Sequence, residues 1–306
     1  MPTLVLPDGA SPARQPTSVR LQIVEPSPAP PDGEGWLHEI KHDGHRLMAI
    51  VDAGGRLSLV SRNGYDRTEA FGAPFSTLVA AGHDLVIDGE IAVPDDRGVT
   101  HLDFLEDAIS RREPHRLVYY AFDLLHIDGH DLRRCPIERR KDVLRQVLDK
   151  ARCERIIYVD HTIGYGRQLL EAVRRIGAEG IVSKRLGSMY RGRSRDWLKT
   201  KCHETGMFVI TGFQELGEGR LEALFVAQER NGDLAYAGQV RFGFTGKGLW
   251  AELDRLRAGP PRKGVVPVEP VLRANIKFFG RRGRFIRDGV LLSLGQRPNT
   301  AEFPKK

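Results

Sequence analysis

Cysteine is scarce in this chain. Cys135, Cys153 and Cys202 are the only three among 306 residues, and no two form a Cys-x-x-Cys pair. That excludes a disulfide framework and a structural thiolate zinc site, and it fits a reducing compartment. Long apolar runs are missing as well. Nothing approaches the roughly 18–20 residues that span a bilayer, so no membrane is expected among the partners. The N-terminus has no signal-peptide core, because Pro2, Pro7, Asp8, Pro12, Arg14 and Pro16 break it up. An internal repeat and a Walker-type phosphate loop are also absent. A cytoplasmic protein is the expectation these absences leave.

What is present is a globular composition with a basic surplus. Hydrophobic residues make up 41% and charged residues 28%, which excludes wholesale disorder. The net charge of +7 and pI of about 9.4 point to an anionic partner. Charge alone does not separate nucleic acid from nucleotide or acidic lipid.

Residues 1–20 are Pro-rich and polar and read as a mobile or loosely docked leader. Short β-type runs follow at Trp36–Ile40, Leu47–Asp52 and Arg56–Ser61, the last two joined by a hairpin turn at Asp52-Ala53-Gly54-Gly55. Asp84–Val93 reads as a strand broken at Asp88-Gly89-Glu90, and Leu117–Leu125 as a buried strand. Helical spacing appears over Glu138–Ala151 and Arg167–Ile176, with Gly177 as a stop, and Gly180–Lys184 is a further short strand. Past His203-Glu204-Thr205-Gly206 the texture becomes β-rich: Met207–Phe213, Leu221–Gln228, Leu234–Arg241 and Val271–Phe279, with one helix at Leu249–Arg257. The expected organisation is a leader over 1–20, an α+β domain over 21–203 and an OB-type β-barrel over 204–306.

The chemistry concentrates between His38 and Arg46. His38-Glu39-x-x-His42 matches the zinc-protease pattern, but that pattern works only with both histidines one turn apart on a helix. Strand-like Trp36-Leu37 before it and Gly44 after it leave no room for one. His38 and His42 are therefore expected on opposite faces or exposed. Lys41 is the stronger candidate: a lysine between Glu39 and Asp43 at the end of a strand, with Gly44 to sharpen the turn, is a plausible nucleophile.

Lys41-His42-Asp43-Gly44-His45-Arg46 has the form Lys-x-Asp-Gly-x-Arg and resembles the nucleotidyl-lysine motif of ATP-dependent DNA ligases and mRNA-capping enzymes. Further segments follow in the order that superfamily shows. They are Ser61-Arg62-Asn63-Gly64, Asp88-Gly89-Glu90, Tyr120-Ala121-Phe122-Asp123-Leu124-Leu125, Glu179-Gly180-Ile181-Val182-Ser183-Lys184 and Trp197-Leu198-Lys199-Thr200-Lys201. Their wording is similar to the ligase domain of the bacterial end-joining ligase D group and to ligase C. The resemblance implies an α+β adenylation (nucleotidyltransferase, ATP-grasp-like) domain followed by an OB-fold. It implies sealing of 5′-phosphate/3′-hydroxyl nicks through a lysyl-AMP intermediate, in DNA repair or end joining. The alternatives are a capping-type enzyme using GTP, an RNA ligase, or a catalytically weakened DNA-end-binding subunit.

The roles follow from chemistry and resemblance together. A lysine amine attacks phosphorus only when unprotonated. Lys199 and Lys201, on one strand face by their i,i+2 spacing, are expected to favour that state and to hold the α-phosphate. Glu90 and Glu179 are carboxylates in apolar strands, where burial without a partner is costly, so Mg²⁺ (or Mn²⁺) is expected on them. Phe122 offers a stacking face for adenine and Glu39 an acceptor for its amino group. Arg46 and Arg62 supply forked donors for ribose or phosphate, and Lys184 and Arg193 match further nucleotide contacts of a family that holds ATP without a P-loop.

Arg185, Arg191 and Arg195, with Arg281, Arg282 and Arg284 in the barrel, are expected to grip nicked or broken duplex DNA through its backbone. The implied partner is a Ku-type end-binding protein, and the implied setting a monomer in the bacterial cytoplasm at the nucleoid. No separate DNA-encircling domain is expected before residue 20. One departure stands out. Where the family places Leu-Arg-Glu/Asp-Asp-Lys, this chain has Leu294-Gly295-Gln296-Arg297, with Gly295 in the arginine position. Either another basic residue such as Arg297 or Arg287 substitutes, or charging of Lys41 is impaired.

Overall fold

Apolar runs of strand length supply the framework, and burial on both faces explains why several of them read as continuous rather than alternating. The structure, a computed structural model, describes residues 5–151, 153–217, 219–230, 232–244 and 248–295, except the side chains of Arg281 and Arg282. The chain divides into two compact units, Met1–Cys202 and His203–Lys306.

In chain order the first unit holds β1 (Trp36–Ile40), β2 (His45–Val51), β3 (Leu57–Ser61), β4 (Leu85–Ala92), α1 (Leu102–Ser110), β5 (Val118–Ile127), α2 (Ile137–Ala151), α3 (Gly166–Ile176), β6 (Gly180–Arg185) and β7 (Trp197–Lys201). One sheet has the antiparallel order β5-β4-β2-β3, extended past β5 by His130–Asp131 and Ser11–Pro12. The other has the order β1-β6-β7, flanked by His161–Ile163 and by Glu25–Pro26. In β2, Leu47, Ala49 and Val51 join one core with Leu59, Ile87 and Tyr119. Met48 and Ile50 join Leu37, Val86, Leu125 and Trp197 on the opposite face. Each fully buried side chain of this size contributes roughly 1.5–3 kcal/mol, so these two layers hold the unit together. Because β1 lies in one sheet and β2 in the other, residues 41–44 form the turn where the chain crosses between them.

Three expectations change. β4 is not broken at Asp88-Gly89-Glu90 but runs through it, with a register shift against β5 between Asp88 and Gly89. The irregularity absorbs the polar triplet without ending the ladder. Residues 5–20, expected to be mobile or loosely docked, are docked. Leu6 and Ala10 pack on the first core, and Gln15 Nε2 donates to Val51 O at 2.6 Å and Leu85 O at 3.1 Å, capping carbonyls at strand ends. Finally, α1 was not anticipated, because Leu102, Leu105 and Ala108 give a short and weak helical signal.

The second unit holds β8 (Glu204–Gly217), β9 (Arg220–Arg230), β10 (Asp233–Phe242), α4 (Gly248–Arg255), β11 (Arg273–Phe278) and β12 (Gly289–Leu294). Pairing in the order β8-β9-β10-β12-β11-β8 closes a five-stranded barrel around Phe208, Ile210, Leu224, Val226 and Ile276. This is the OB-type barrel expected. Its closing strand, β12, was not separated in the sequence, and it pairs in parallel with β10 and antiparallel with β11. Among the described residues no helix is long and apolar enough to cross a membrane.

Candidate functional site

The turn at 41–44 is held at every residue by groups distant in sequence, His42 by its ring stacked on Tyr120 of β5. Lys41 donates its backbone N–H to Gly180 O at 2.9 Å and its Nζ–H to the Glu179 carboxylate. Asp43 is buried. Its N–H donates to Thr100 Oγ1 at 2.9 Å, and its carboxylate accepts from the N–H of Leu102, the first residue of α1, at 3.3 Å. At Gly44 a Cβ would lie 2.0 Å from Ile91 O, so only glycine fits against β4. At Gly180 the backbone has φ +150°, and a Cβ would lie 2.2 Å from Thr200 O. Glycine there lets β6 start tight against β7 with its carbonyl on Lys41.

Glu39, Lys41, Arg46, Arg62, Glu90, Phe122, Lys184, Arg193 and Lys199 line one cavity of about 560 Å³, contributed by strands of both sheets and the turns and loops that adjoin them. Glu179 is buried beside Lys41, and its carboxylate also accepts from Lys201 Nζ at 3.2 Å. Arg185, Arg191 and Arg195 do not reach the cavity. Arg185 faces Asp196 at 3.4 Å and lies 4.5 Å over the Trp36 ring, while Arg191 and Arg195 are exposed on the segment between β6 and β7. In the barrel Arg284 is exposed, with its guanidinium 5.1 Å from the Phe285 ring centre. The side chains of Arg281 and Arg282, and all of Gln296 and Arg297, lie outside the described residues. Gly295 donates its N–H to Arg273 O at 2.7 Å.

Several of these groups are already engaged. The Arg46 fork takes Asp88 with Nε at 2.9 Å and Nη2 at 2.6 Å, and Nη1 donates to Gln22 O at 2.8 Å. It therefore borders the cavity as a fastener rather than as an open fork. Glu39 has one oxygen 2.5 Å from Lys141 Nζ and the other 2.7 Å from Lys184 Nζ. Burial works to raise the Glu39 pKa, but the two ammoniums overcome it and hold it below the usual value. Burial pushes Lys184 down to about 8. Lys199 is lowered by partial burial and by the charges of Lys41 and Lys201.

Glu90 is the contrasting case. Burial raises it to about 7, with Glu179 and Asp88 adding to the rise against Lys41 and Arg46, and it has no ion pair among the described residues. No group of three or more His, Cys, Asp or Glu is arranged to hold a metal among those residues. Mg²⁺, however, is commonly held by one or two carboxylates together with substrate phosphates. The uncompensated carboxylate of Glu90 on the cavity wall fits such an ion. Glu179, already between two ammoniums, fits it less well.

The two histidines are neither exposed nor metal-binding in geometry. His38 is fully buried in β1 with Nδ1 2.8 Å from Ser183 Oγ. His42 stacks on Tyr120 with 3.7 Å between ring centres, and burial drives its pKa down to about 4. A neutral imidazole tolerates such sites, so of the two expectations, opposite faces or exposure, exposure does not hold.

Three residues escaped the sequence reading. Gln22 is fully buried, donating to Ser194 Oγ and accepting from Arg191 N–H, each at 2.8 Å, so residues 21–26 form a wall of the cavity. Nothing in the sequence marks it beyond a glutamine inside an apolar run. Lys141 is fully buried on the α2 stripe of Ile137, Leu144 and Leu148, and a charge at such a core position was a visible signal. Arg140 beside it is also fully buried and makes two 2.8 Å hydrogen bonds to Asp123.

Comparison with known proteins agrees with this geometry. Residues 27–201 match the ATP-dependent DNA ligase domain family. The chain is 37% identical over 239 residues to the multifunctional non-homologous end joining protein LigD of Pseudomonas aeruginosa, covering 74% of this chain and 28% of that protein. It therefore spans little more than a quarter of that relative. It is 30% identical over 251 residues to DNA ligase C1 of Mycolicibacterium smegmatis, covering 75% of this chain and 70% of the relative. The solved ligase domain of M. tuberculosis LigD overlays with a TM-score of 0.55 at 26% identity, covering 94% of this chain and 98% of that one. These matches do not favour the capping-type, RNA-ligase or end-binding-subunit alternatives.

Proposed function

The chain belongs to the ATP-dependent DNA ligase family, and from that premise we propose that it seals 5′-phosphate/3′-hydroxyl nicks in duplex DNA through a lysyl-AMP intermediate at Lys41. The observation that carries this reading is the gathering of Lys41, Glu90, Phe122 and Lys199 from two sheets around one cavity of about 560 Å³. That volume suits a nucleotide.

In the first step Glu179, which already accepts a hydrogen bond from Lys41 Nζ, takes its proton as Nζ attacks the α-phosphorus of ATP. The N–P bond forms as the bond to pyrophosphate breaks. Lys199 holds the α-phosphate oxygens, and Lys201 keeps Glu179 oriented. Phe122 stacks on adenine. Glu39 accepts from the exocyclic amine, and Lys184 donates to the neighbouring ring nitrogen. Arg62 and Arg193, exposed at the cavity rim, take ribose or phosphate. Glu90, joined by Glu179 only once Glu179 has released the Lys41 proton to solvent, would hold Mg²⁺ or Mn²⁺, which supplies Lewis-acid stabilisation of charge on the phosphoryl oxygens. AMP then passes from Lys41 to the 5′-phosphate, and the 3′-hydroxyl displaces it to join the strand.

Arg185, Arg191, Arg195, Arg281, Arg282 and Arg284 are the proposed contacts to the DNA backbone. The relative from Pseudomonas aeruginosa is an end-joining protein by name. That supports a role in joining broken ends; a Ku-type partner and a nucleoid setting are part of the same proposal. A singly nicked duplex carrying a 5′-phosphate tests the reading. With ATP and Mg²⁺ the expected result is a sealed strand on a denaturing gel. Sealing of nicked RNA but not of nicked DNA would overturn it.

A further inference from the structure

Lys141 is a buried cation that nothing in the α2 core requires. The stripe it shares with Ile137, Leu144 and Leu148 would be filled by leucine or methionine at no desolvation cost. Instead its Nζ donates to Glu39 Oε1 at 2.5 Å and to Val159 O at 2.8 Å, and lies 4.5 Å from the Tyr158 ring centre. Those three partners use its three N–H donors. Lys141 is absent from the cavity wall, whereas Glu39 and Lys184 are on it. It therefore has no contact of its own with a ligand there and acts through the groups it faces, by hydrogen bond on Glu39 and by charge on Lys184.

The consequence lies in what the wall shows a base. Glu39 as a carboxylate is an acceptor only, and each oxygen keeps a lone pair after binding its lysine. Lys184 donates to Glu39 and Phe122 O and lies 4.0 Å from the Trp197 ring centre, so its third N–H, held by a ring alone, is the one that turns to a base. The pair thus presents an acceptor beside a donor, which matches the amino group and adjacent ring nitrogen of adenine. Guanine carries an oxygen and a ring N–H at those positions, the reverse pattern. Holding Glu39 ionised and fixed is what keeps the discrimination.

Resting on the nucleotide-binding reading above, we propose that Lys141 is a positioning residue for base selectivity, clamping the Glu39 carboxylate from behind so that the cavity takes ATP and rejects GTP. In its absence Glu39 turns toward Lys184 alone or takes up a proton. A protonated Glu39 donates to the guanine oxygen as readily as it accepts from adenine.

The test uses the full chain and its Lys141→Met, Glu39→Gln and Glu39→Gln/Lys141→Met variants. Nucleotidyl-lysine formation is measured with labelled ATP and labelled GTP, and thermal melts check folding. A hydrogen bond to a charged group contributes about 1.5–3 kcal/mol. Lys141→Met should therefore lower the ATP-over-GTP ratio by about tenfold or more, while the maximal rate with ATP changes less. In the Glu39→Gln background the same change should lower the ratio no further. If Lys141→Met alone does not fold, the comparison of Glu39→Gln with the double variant, which loses both charges together, decides by the same criterion. A folded Lys141→Met with the native ratio, or additive losses in the double variant, overturns the proposal alone. A native chain that takes up neither nucleotide overturns the underlying reading with it.

Discussion

Replacing Gly44 with alanine tests the geometry on which the nucleophile depends. The new Cβ would lie 2.0 Å from Ile91 O, 2.9 Å from Ile91 C and 3.0 Å from Ala92 Cβ. A carbon–oxygen contact is comfortable at about 3.3 Å, so more than about 1 Å of separation is missing. The obstacle cannot yield, because Ile91 is backbone of β4, paired with β2 on one side and β5 on the other. The turn that carries Lys41 must move instead. A displacement of about 1 Å in a reacting group costs on the order of 10²-fold in rate, and overpacking of this kind costs roughly 1–3 kcal/mol of stability. The expected outcome is a hundredfold loss, to order of magnitude, in AMP transfer to Lys41, measured by a time course with labelled ATP. A lower urea midpoint should accompany it. Gly35→Ala is the control, since nothing lies within 4 Å of its Cβ; both quantities should stay native there. Native charging and a native midpoint in Gly44→Ala would refute the steric reasoning.

Other perturbations have equally defined outcomes. Arg140→Met leaves the fully buried Asp123 carboxylate without its guanidinium and should cost about 3–5 kcal/mol in urea unfolding. Arg140→Met/Asp123→Leu should recover most of that loss. Gln22→Ala removes the acceptor of the Arg191 N–H, so that amide should lose protection in hydrogen exchange, with a local cost of about 1–3 kcal/mol. Glu90, raised from 4.5 to about 7, keeps a proton in the folded chain that the unfolded chain releases. In metal-free buffer stability should therefore fall as pH rises from about 4.5 to about 7, and Glu90→Gln should flatten that slope in thermal melts. Mg²⁺ added at pH 7 should raise the melting temperature of the native chain and leave that of Glu90→Gln unchanged.

The cavity residues were legible in the sequence because their chemistry admits few residue types. A nucleophilic lysine, carboxylates inside apolar strands and a pair of lysines at i,i+2 are unusual wherever they occur, and Lys41, Glu90 and Lys199 do line one cavity. The partners of their supports were not legible, although Lys141 stood out as a charge on an apolar stripe. Lys141 meets Glu39 across 102 residues, and Gln22 meets Ser194 across 172, and no local pattern encodes a partner that far away. Arg46 looked like a free fork because its partner Asp88 sits on a different strand. That same pairing neutralises Asp88 and lets β4 continue where the sequence appears to interrupt it. Strand and helix periods located most elements to within a few residues. β12 was lost because Gly289–Leu294 is short and its parallel pairing with β10 leaves no hairpin signal.

Transfer of AMP to Lys41 is read by a single mapping experiment. The chain is incubated with α-labelled ATP and Mg²⁺, quenched in denaturant, digested and mapped by mass spectrometry. A single AMP on Lys41, absent from Lys41→Ala, is the predicted result. AMP on another residue, or equal labelling of Lys41→Ala, would contradict it.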